Sequence, residues 1–330
     1  MTDQTTFLDM MESAGHAREA RRRFMRLCGG AAAMAGGLTL LSACDDDDAQ
    51  STPFPTPTPT PAPTSATADL DILNFALSLE YLEGAYYNQA AFGQAVNGNL
   101  TAGVGTQGAV TGGRQVNFTD PVIADYAREI AYDELAHIRF LRTTLGSAAV
   151  AQPAINIAGD ATGAFTAAAR AAGVIGANET FDPYANDENF LIGAYLLTDV
   201  GVTAYRGSAR LITNKTFLEA SAGILATECY HDAAIRSSLW AKGLTRSAIY
   251  TTITRISDTR DTLDGSGDND QDIGDATTAN FVPADANALA LGRTAPQVLN
   301  VVYQNRAAVT SGGFFPTGVN GNIRTSAANA

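Results

Sequence analysis

Histidine is scarce in this chain, and where it falls carries most of the chemical information. There are 3 His in 330 residues. One, His16, lies near the start; His137 and His231 each follow a Glu by three positions, as Glu134-Leu-Ala-His137 and Glu228-Cys-Tyr-His231. Chance would place a Glu there for a given His only about 3% of the time, so the coincidence at both argues for a shared role. On a helix, residues three apart share a face, so each pair can aim a carboxylate and an imidazole at one cation. Carboxylate oxygens are hard donors that can bridge two ions, and imidazole suits iron.

The surrounding residues predict helices. Ile123, Tyr126, Ala127, Ile130, Leu135, Ile138 and Leu141 recur at three- and four-residue steps around the first motif. Asp120-Pro121 is a good helix start and Gly146 a good stop. Around the second motif, Phe217, Ala220, Ile224, Cys229, Ala233 and Trp240 continue a similar face, ended by Gly243. Cys229, next to Glu228, points about 100° away from it and is expected to pack. Two further helices are predicted, over 69–91 and 187–212. Superimposing Leu79-Glu80-Tyr81-Leu82-Glu83 on Leu197-Thr198-Asp199-Val200-Gly201 sets Glu80 on Thr198 and Tyr87 on Tyr205. The chain therefore reads as two copies of helix–loop–helix, with Glu-x-x-His on the second helix of each.

This arrangement resembles the ferritin-like four-helix bundle, an all-α fold. In that family a Glu from each of two helices and a Glu-x-x-His from each of the other two bind paired iron or manganese ions. The stretch 146–186 supplies the one long crossover such a bundle requires, between helices two and three. More narrowly, the chain is similar to bacterial ferritin-like, desiccation-related proteins over about residues 69–325. The phrases that carry the likeness are Asn74-Phe-Ala-Leu-Ser-Leu-Glu-Tyr-Leu-Glu83, Asp199-Val-Gly-Val-Thr-Ala-Tyr205, Arg260-Asp-Thr-Leu-Asp-Gly265 and Gly312-Gly-Phe-Phe-Pro316.

The resemblance implies a di-metal centre, iron or manganese, held by Glu80, Glu134, His137, Glu228 and His231. Glu83, one turn after Glu80, is the alternative first-helix carboxylate; Glu80 is preferred because it keeps the seven-residue step to Tyr87. The third helix departs from the pattern, since Thr198 stands where a carboxylate is expected. Asp199 is taken as the replacement ligand, rotating in from about 100° round the helix; water, or one carboxylate fewer, are the other solutions. Tyr87 and Tyr205 read either as neighbours that hydrogen-bond to ligands or carry a radical, or as buried aromatics with satisfied hydroxyls. The activity implied is oxidation of Fe(II) or removal of oxidants with oxygen or peroxide. The alternative is a non-enzymatic, stress-protective envelope protein with a degenerate site.

The remaining sequence sets location and excludes partners. Residues 1–43 contain Arg21-Arg22-Arg23-Phe24, then a weakly apolar run to Ala43, and resemble a twin-arginine signal peptide, with an ordinary secretory signal as the alternative. Leu41-Ser42-Ala43-Cys44 resembles a lipobox, which would make Cys44 the lipidation site of a lipoprotein exported to the periplasm or cell envelope and tethered to a membrane. The alternative is cleavage without a lipid. Asp45 to Asp48 and alternating Pro and Thr follow, so 44–68 reads as an extended spacer. The domain plan is completed by a bundle over 69–245 and a mostly non-helical extension over 246–330 that docks on it, with a helix near 296–307. Lys+Arg of 21 against Asp+Glu of 34 leaves a charge of −13, which argues against nucleic acid as a partner. A homo-oligomer is left open; a closed storage shell is not expected, because tether, loops and extension obstruct it. Gly103-Val-Gly105-Thr-Gln-Gly108 lacks the flanking strand and helix of a nucleotide site and reads as a loop. Asp264 to Asp272 alternates oxygen side chains but has Asn269 where a calcium loop needs Gly, and reads as an acidic surface turn.

Overall fold

The computed structural model describes residues 66–329. The expected signal, Cys44 and the Pro/Thr spacer lie outside those residues. Seven helices dominate: α1 (Ala66–Phe92), α2 (Pro121–Leu145), α3 (Ala164–Ala171), α4 (Asp187–Ala209), α5 (Lys215–Gly243), α6 (Ala248–Asp264) and α7 (Ala295–Tyr303). α1, α2, α4 and α5 form the bundle, with α1 packed chiefly on α2 and α4 chiefly on α5.

The helix ends follow local chemistry. Asp120 caps α2 by accepting from the Val122 amide at 3.0 Å, with Pro121 at the first helical position and Gly146 closing the helix at φ 56°. Asn186 and Asn214 cap α4 and α5 in the same way. Asp69, at the start of α1, accepts from the Thr213 and Asn214 amides, each at 2.8 Å, and so ties the α4–α5 turn to the first helix. Contacts run antiparallel along the α1–α2 and α1–α4 seams. Tyr81 meets Arg142 and Phe92 meets Tyr132 across α1–α2. Tyr86 meets Phe190 and Glu80 meets Tyr205 across α1–α4.

α1 and α4 are buried on almost every face, which explains why their sequences lack a clean polar stripe. Their outer faces are covered by the chain's long connections. The loop after α1 and the crossover after α2 zip together as a short parallel pair, β1 (Val110–Thr111) with β2 (Ile155–Asn156). The crossover sends Phe165 against Tyr86 at 5.2 Å and against Phe314 of the C-terminal segment at 5.1 Å. No described helix is long and apolar enough to cross a membrane.

Two expectations for the C-terminal extension change. Beyond the helix expected at 296–307, which ends at Tyr303 with Gln304 left-handed, there is a second helix, α6. Its buried face of Ile249, Ile253 and Ile256 carried the helical period. The Asp264–Asp272 stretch is not a surface turn at its key positions, because Asp264 and Asp270 are buried against arginines.

Candidate metal centre

Three of the four bundle helices bring six ionisable side chains to the middle of the bundle. Glu80 and Glu83 come from α1, Glu134 and His137 from α2, and Glu228 and His231 from α5. The four carboxylates are at most 3% exposed. The His137 Nδ1 lies 3.2 Å from Glu80 Oε2, 3.5 Å from Glu134 Oε2 and 3.4 Å from Glu228 Oε1. The His231 Nδ1 lies 3.3 Å from Glu134 Oε1 and 3.9 Å from Glu228 Oε2. Glu134 and Glu228 therefore each face both imidazoles, one oxygen toward each. That is a bridging arrangement, more intimate than two separate Glu–His pairs. The ring centroids are 6.3 Å apart.

The donor set could hold a metal ion. Glu80 Oε2, Glu83 Oε1, both oxygens of Glu134 and of Glu228, and Nδ1 of both histidines are buried with no hydrogen-bond partner. Leaving one such group unsatisfied costs roughly 1–3 kcal/mol, more if charged. Glu80, Glu134, His137 and Glu228 can offer donor atoms all within 4.8 Å of one another. Among the described residues no Lys or Arg pairs with these four glutamates. Oxygen and imidazole donors suit iron and manganese.

The electrostatics say the same. Burial, then repulsion from Glu228, pushes the Glu134 carboxyl up to about 7. Burial and the charges of Glu228, Glu134 and Glu80 hold Glu83 well above the usual carboxylate range. Burial works against a charged His137, but Glu80 and the other glutamates outweigh it and raise its pKa. Burial is likewise outweighed at His231, by Asp133 and Glu134, which bring it to about 10. At Glu80 burial is outweighed by His137, and the pKa falls. Without cations, protons must hold this cluster together.

The two tyrosines occupy matched places. Tyr87 shares a 2.6 Å hydrogen bond with Thr198, and Tyr205 donates to Glu80 Oε1. Each reaches across to the residue seven before its counterpart, which is how the sequence repeat appears in three dimensions. Tyr205 thus touches a candidate ligand, while Tyr87 touches the residue that stands where a ligand was expected.

Asp199 does not join the cluster. Its carboxylate is turned to Arg236 at 3.3 Å and Arg260 at 2.6 Å. Two good cationic partners outside the bundle axis hold it there, so the expectation of a rotated ligand fails. Cys229 is half-buried and free, and is no part of the cluster. Asp133 was missed by sequence reasoning. Its Oδ2 lies 3.2 Å from Nε2 of His231, which leaves Nδ1 for the cluster. Its position beside Glu134 gave no hint of a contact 98 residues away.

Comparison with known proteins agrees with this geometry. Residues 68–241 match the model of the ferritin-like domain. The ferritin-like catalase Nec2 of Nesocodon mauritianus is 26% identical over 268 residues, covering 77% of this chain and 84% of that protein. The desiccation-related protein PCC13-62 of Craterostigma plantagineum is 28% identical over 244 residues, covering 70% and 76%. With a matching domain model spanning the bundle, and the bundle's buried Glu/His cluster in place, the chain belongs to the ferritin-like family.

Proposed function

We propose that this chain is an exported, membrane-tethered ferritin-like protein that holds two iron or manganese ions and turns over peroxide or oxygen. The observation that carries the reading is the convergence in the bundle of eight buried donor atoms that make no hydrogen bond and, apart from the two imidazoles, have no counter-charge among the described residues. Peroxide is favoured as substrate because a relative bears the name ferritin-like catalase. In the balanced reaction one hydrogen peroxide is oxidised to dioxygen while a second is reduced to two waters.

Bound redox ions would supply and take up the electrons. The protein's part is positional. Glu80, Glu134 and Glu228 would hold the ions through carboxylate oxygens, and His137 and His231 through Nδ1. Asp133 accepts from Nε2 of His231, fixing the tautomer that leaves Nδ1 free. Tyr205 donates to Oε1 of Glu80 and so leaves Oε2 facing the cluster. Leu79, Leu82, Leu197 and Val200 wall the α1–α4 side beside Glu83 with apolar side chains.

Reconstitution with Mn(II) or Fe(II), elemental analysis and oxygen evolution from peroxide test the reading. The expected result is near-stoichiometric metal, with metal and turnover both lost in Glu134→Ala with Glu228→Ala. A second reading, a stress-protective envelope protein with a degenerate site, is favoured by Thr198 and by the desiccation-related relative. Protein purified from its native compartment without metal, and unable to take it up, would support that reading. Lipid attachment at Cys44 belongs to the same proposal. It predicts incorporation of labelled fatty acid that is lost in Cys44→Ala.

A further inference from the structure

The third helix of the bundle brings no carboxylate to the cluster. Thr198 is bonded to Tyr87, and Asp199 is held by arginines. Yet a fourth carboxylate is there. Glu83 lies one helical turn beyond Glu80 on α1, is 3% exposed, and its Oε1 has no hydrogen-bond partner. Apart from a hydrogen bond with Thr198, nothing in this apolar helix seam stabilises such a group. Leu79, Leu82, Leu197 and Val200 surround it, and no cationic side chain pairs with it among the described residues.

What makes room for it is glycine. A Cβ on Gly201 would sit 3.0 Å from Glu83 Oε2, 3.3 Å from Glu83 Oε1 and 3.5 Å from Glu228 Oε2. The Glu83 carboxylate therefore occupies the space into which a side chain at 201 would project, beside an oxygen of Glu228. In the internal repeat, 201 is the counterpart of 83, just as 198 is of 80. A buried helix-interior Gly is destabilising relative to Ala, so its presence here has to be offset by what it admits.

We infer that Glu83 is the fourth carboxylate of the centre, delivered by the first helix across Gly201 in place of the ligand that the third helix lacks. The site then has four carboxylates and two imidazoles, with two of the carboxylates coming from one helix at i and i+3. Four carboxylates balance two divalent ions, so the departure at Thr198 need not leave the centre short of charge. The inference rests on the metal-binding reading above.

The test uses the full chain, metal-depleted and titrated anaerobically with Mn(II), read by elemental analysis after dialysis and by electron paramagnetic resonance. Wild type is expected to bind two ions per chain. Glu83→Gln, which keeps the shape, is expected to bind one, or to bind the second at least tenfold more weakly; loss of a mere outer-shell partner already costs 10–100-fold. Gly201→Ala should weaken the second ion in the same direction by pushing the Glu83 carboxylate aside. Glu83→Ala with Gly201→Asp returns a short carboxylate to the same space from the opposite helix and should recover two-ion binding. Helical circular dichroism checks that each variant is folded, and the recovery in the double variant separates ligation from general damage. If wild type binds two ions and Glu83→Gln binds two with unchanged affinity, the assignment of Glu83 is overturned while the metal reading stands. If wild type binds none, the metal reading itself falls, and this inference with it.

Discussion

Two buried charge clusters lie side by side in this molecule, and they are opposites. In one, Arg236, Arg260 and Arg293 meet Asp199, Asp264 and Asp270, three cations to three anions, all at most 3% exposed. Arg293 bonds Asp264 at 2.5 Å and Asp270 at 2.8 Å, and Arg260 bonds Asp270 at 2.7 Å. Arg236 also donates to carbonyls of Gln271, Asp272 and Asn280. This network clamps the C-terminal segment to α4, α5 and α6, with arginines paired to its aspartates. In the other, four glutamates and two histidines have only one another and a few hydrogen-bond donors such as Tyr205. Burial and charge alone do not mark a functional site; the missing counter-charge does.

The largest contrast should appear in stability. Arg293→Ala strands Asp264 in the interior and leaves Asp270 with Arg260 as its one paired cation, and breaking such a buried pair costs about 3–5 kcal/mol. Glu134→Gln in metal-depleted protein removes repulsion and should leave stability unchanged or raised, while metal uptake is lost. Denaturant unfolding of both variants measures the difference. A loss for Glu134→Gln as large as that for Arg293→Ala would mean the two clusters are alike.

The clusters should also respond to opposite ends of the pH scale. Burial raises the Asp270 pKa but Arg260 and Arg293 outweigh it, so the folded value is depressed. That stabilisation is present above the ordinary carboxylate range and is lost as acid titrates Asp270. Glu134 is raised to about 7, so in metal-depleted protein its contribution turns unfavourable as pH climbs from about 4.5 through 7. The full swing is on the order of 3 kcal/mol. His231, raised to about 10, stabilises below about 6.5 and loses that contribution as pH rises through 10. Metal-depleted protein is therefore expected to weaken steadily from mildly acid to alkaline pH, and metal-loaded protein to lose that slope. Unfolding midpoints across pH, with and without Mn(II), check it.

Metal should close the gap between the clusters. An ion at 100 times its Kd stabilises the folded chain by about 2.7 kcal/mol. It should release protons at pH 7, since the raised Glu134 and both histidines must give theirs up. Calorimetry in buffers of different ionisation enthalpy reads that release. Asp133→Asn keeps the cluster but loosens His231, and should weaken one ion by about 10–100-fold.

How much of this was legible in the sequence differs between the same two clusters. Glu80, Glu134, His137, Glu228 and His231 were readable because their spacing is local and repeated, and helix periodicity converts spacing into direction. The arginine network was not. Arg236 and Arg260 meet Asp199 across 37 and 61 residues, and no local pattern encodes such pairings. That is why Asp199 was taken for a ligand and Asp264–Asp272 for a surface turn. The main α6 signal was present in its isoleucines, but loop-rich flanks masked it. Glu83 and Gly201 were both visible, yet only the three-dimensional seam shows one filling the space left by the other.

The finest comparison is between the two matched tyrosines. Tyr205→Phe removes the donor to Glu80 and leaves a buried carboxylate oxygen unsatisfied, a loss of about 1–3 kcal/mol. It should also reduce metal affinity, because Oε1 is then free to turn and Glu80 loses its fixed orientation. Tyr87→Phe removes a bond to Thr198, whose hydroxyl can turn to a carbonyl of its own helix, so about 1 kcal/mol or less is expected. Metal affinity should fall less than in Tyr205→Phe, since Tyr87 reaches the cluster only through Thr198 and the hydrogen bond of Thr198 with Glu83. Measuring stability and Mn(II) affinity for both variants separates a tyrosine that supports the centre from one that fills the core. Equal losses of affinity would instead place Thr198, through Tyr87, back within reach of the ions.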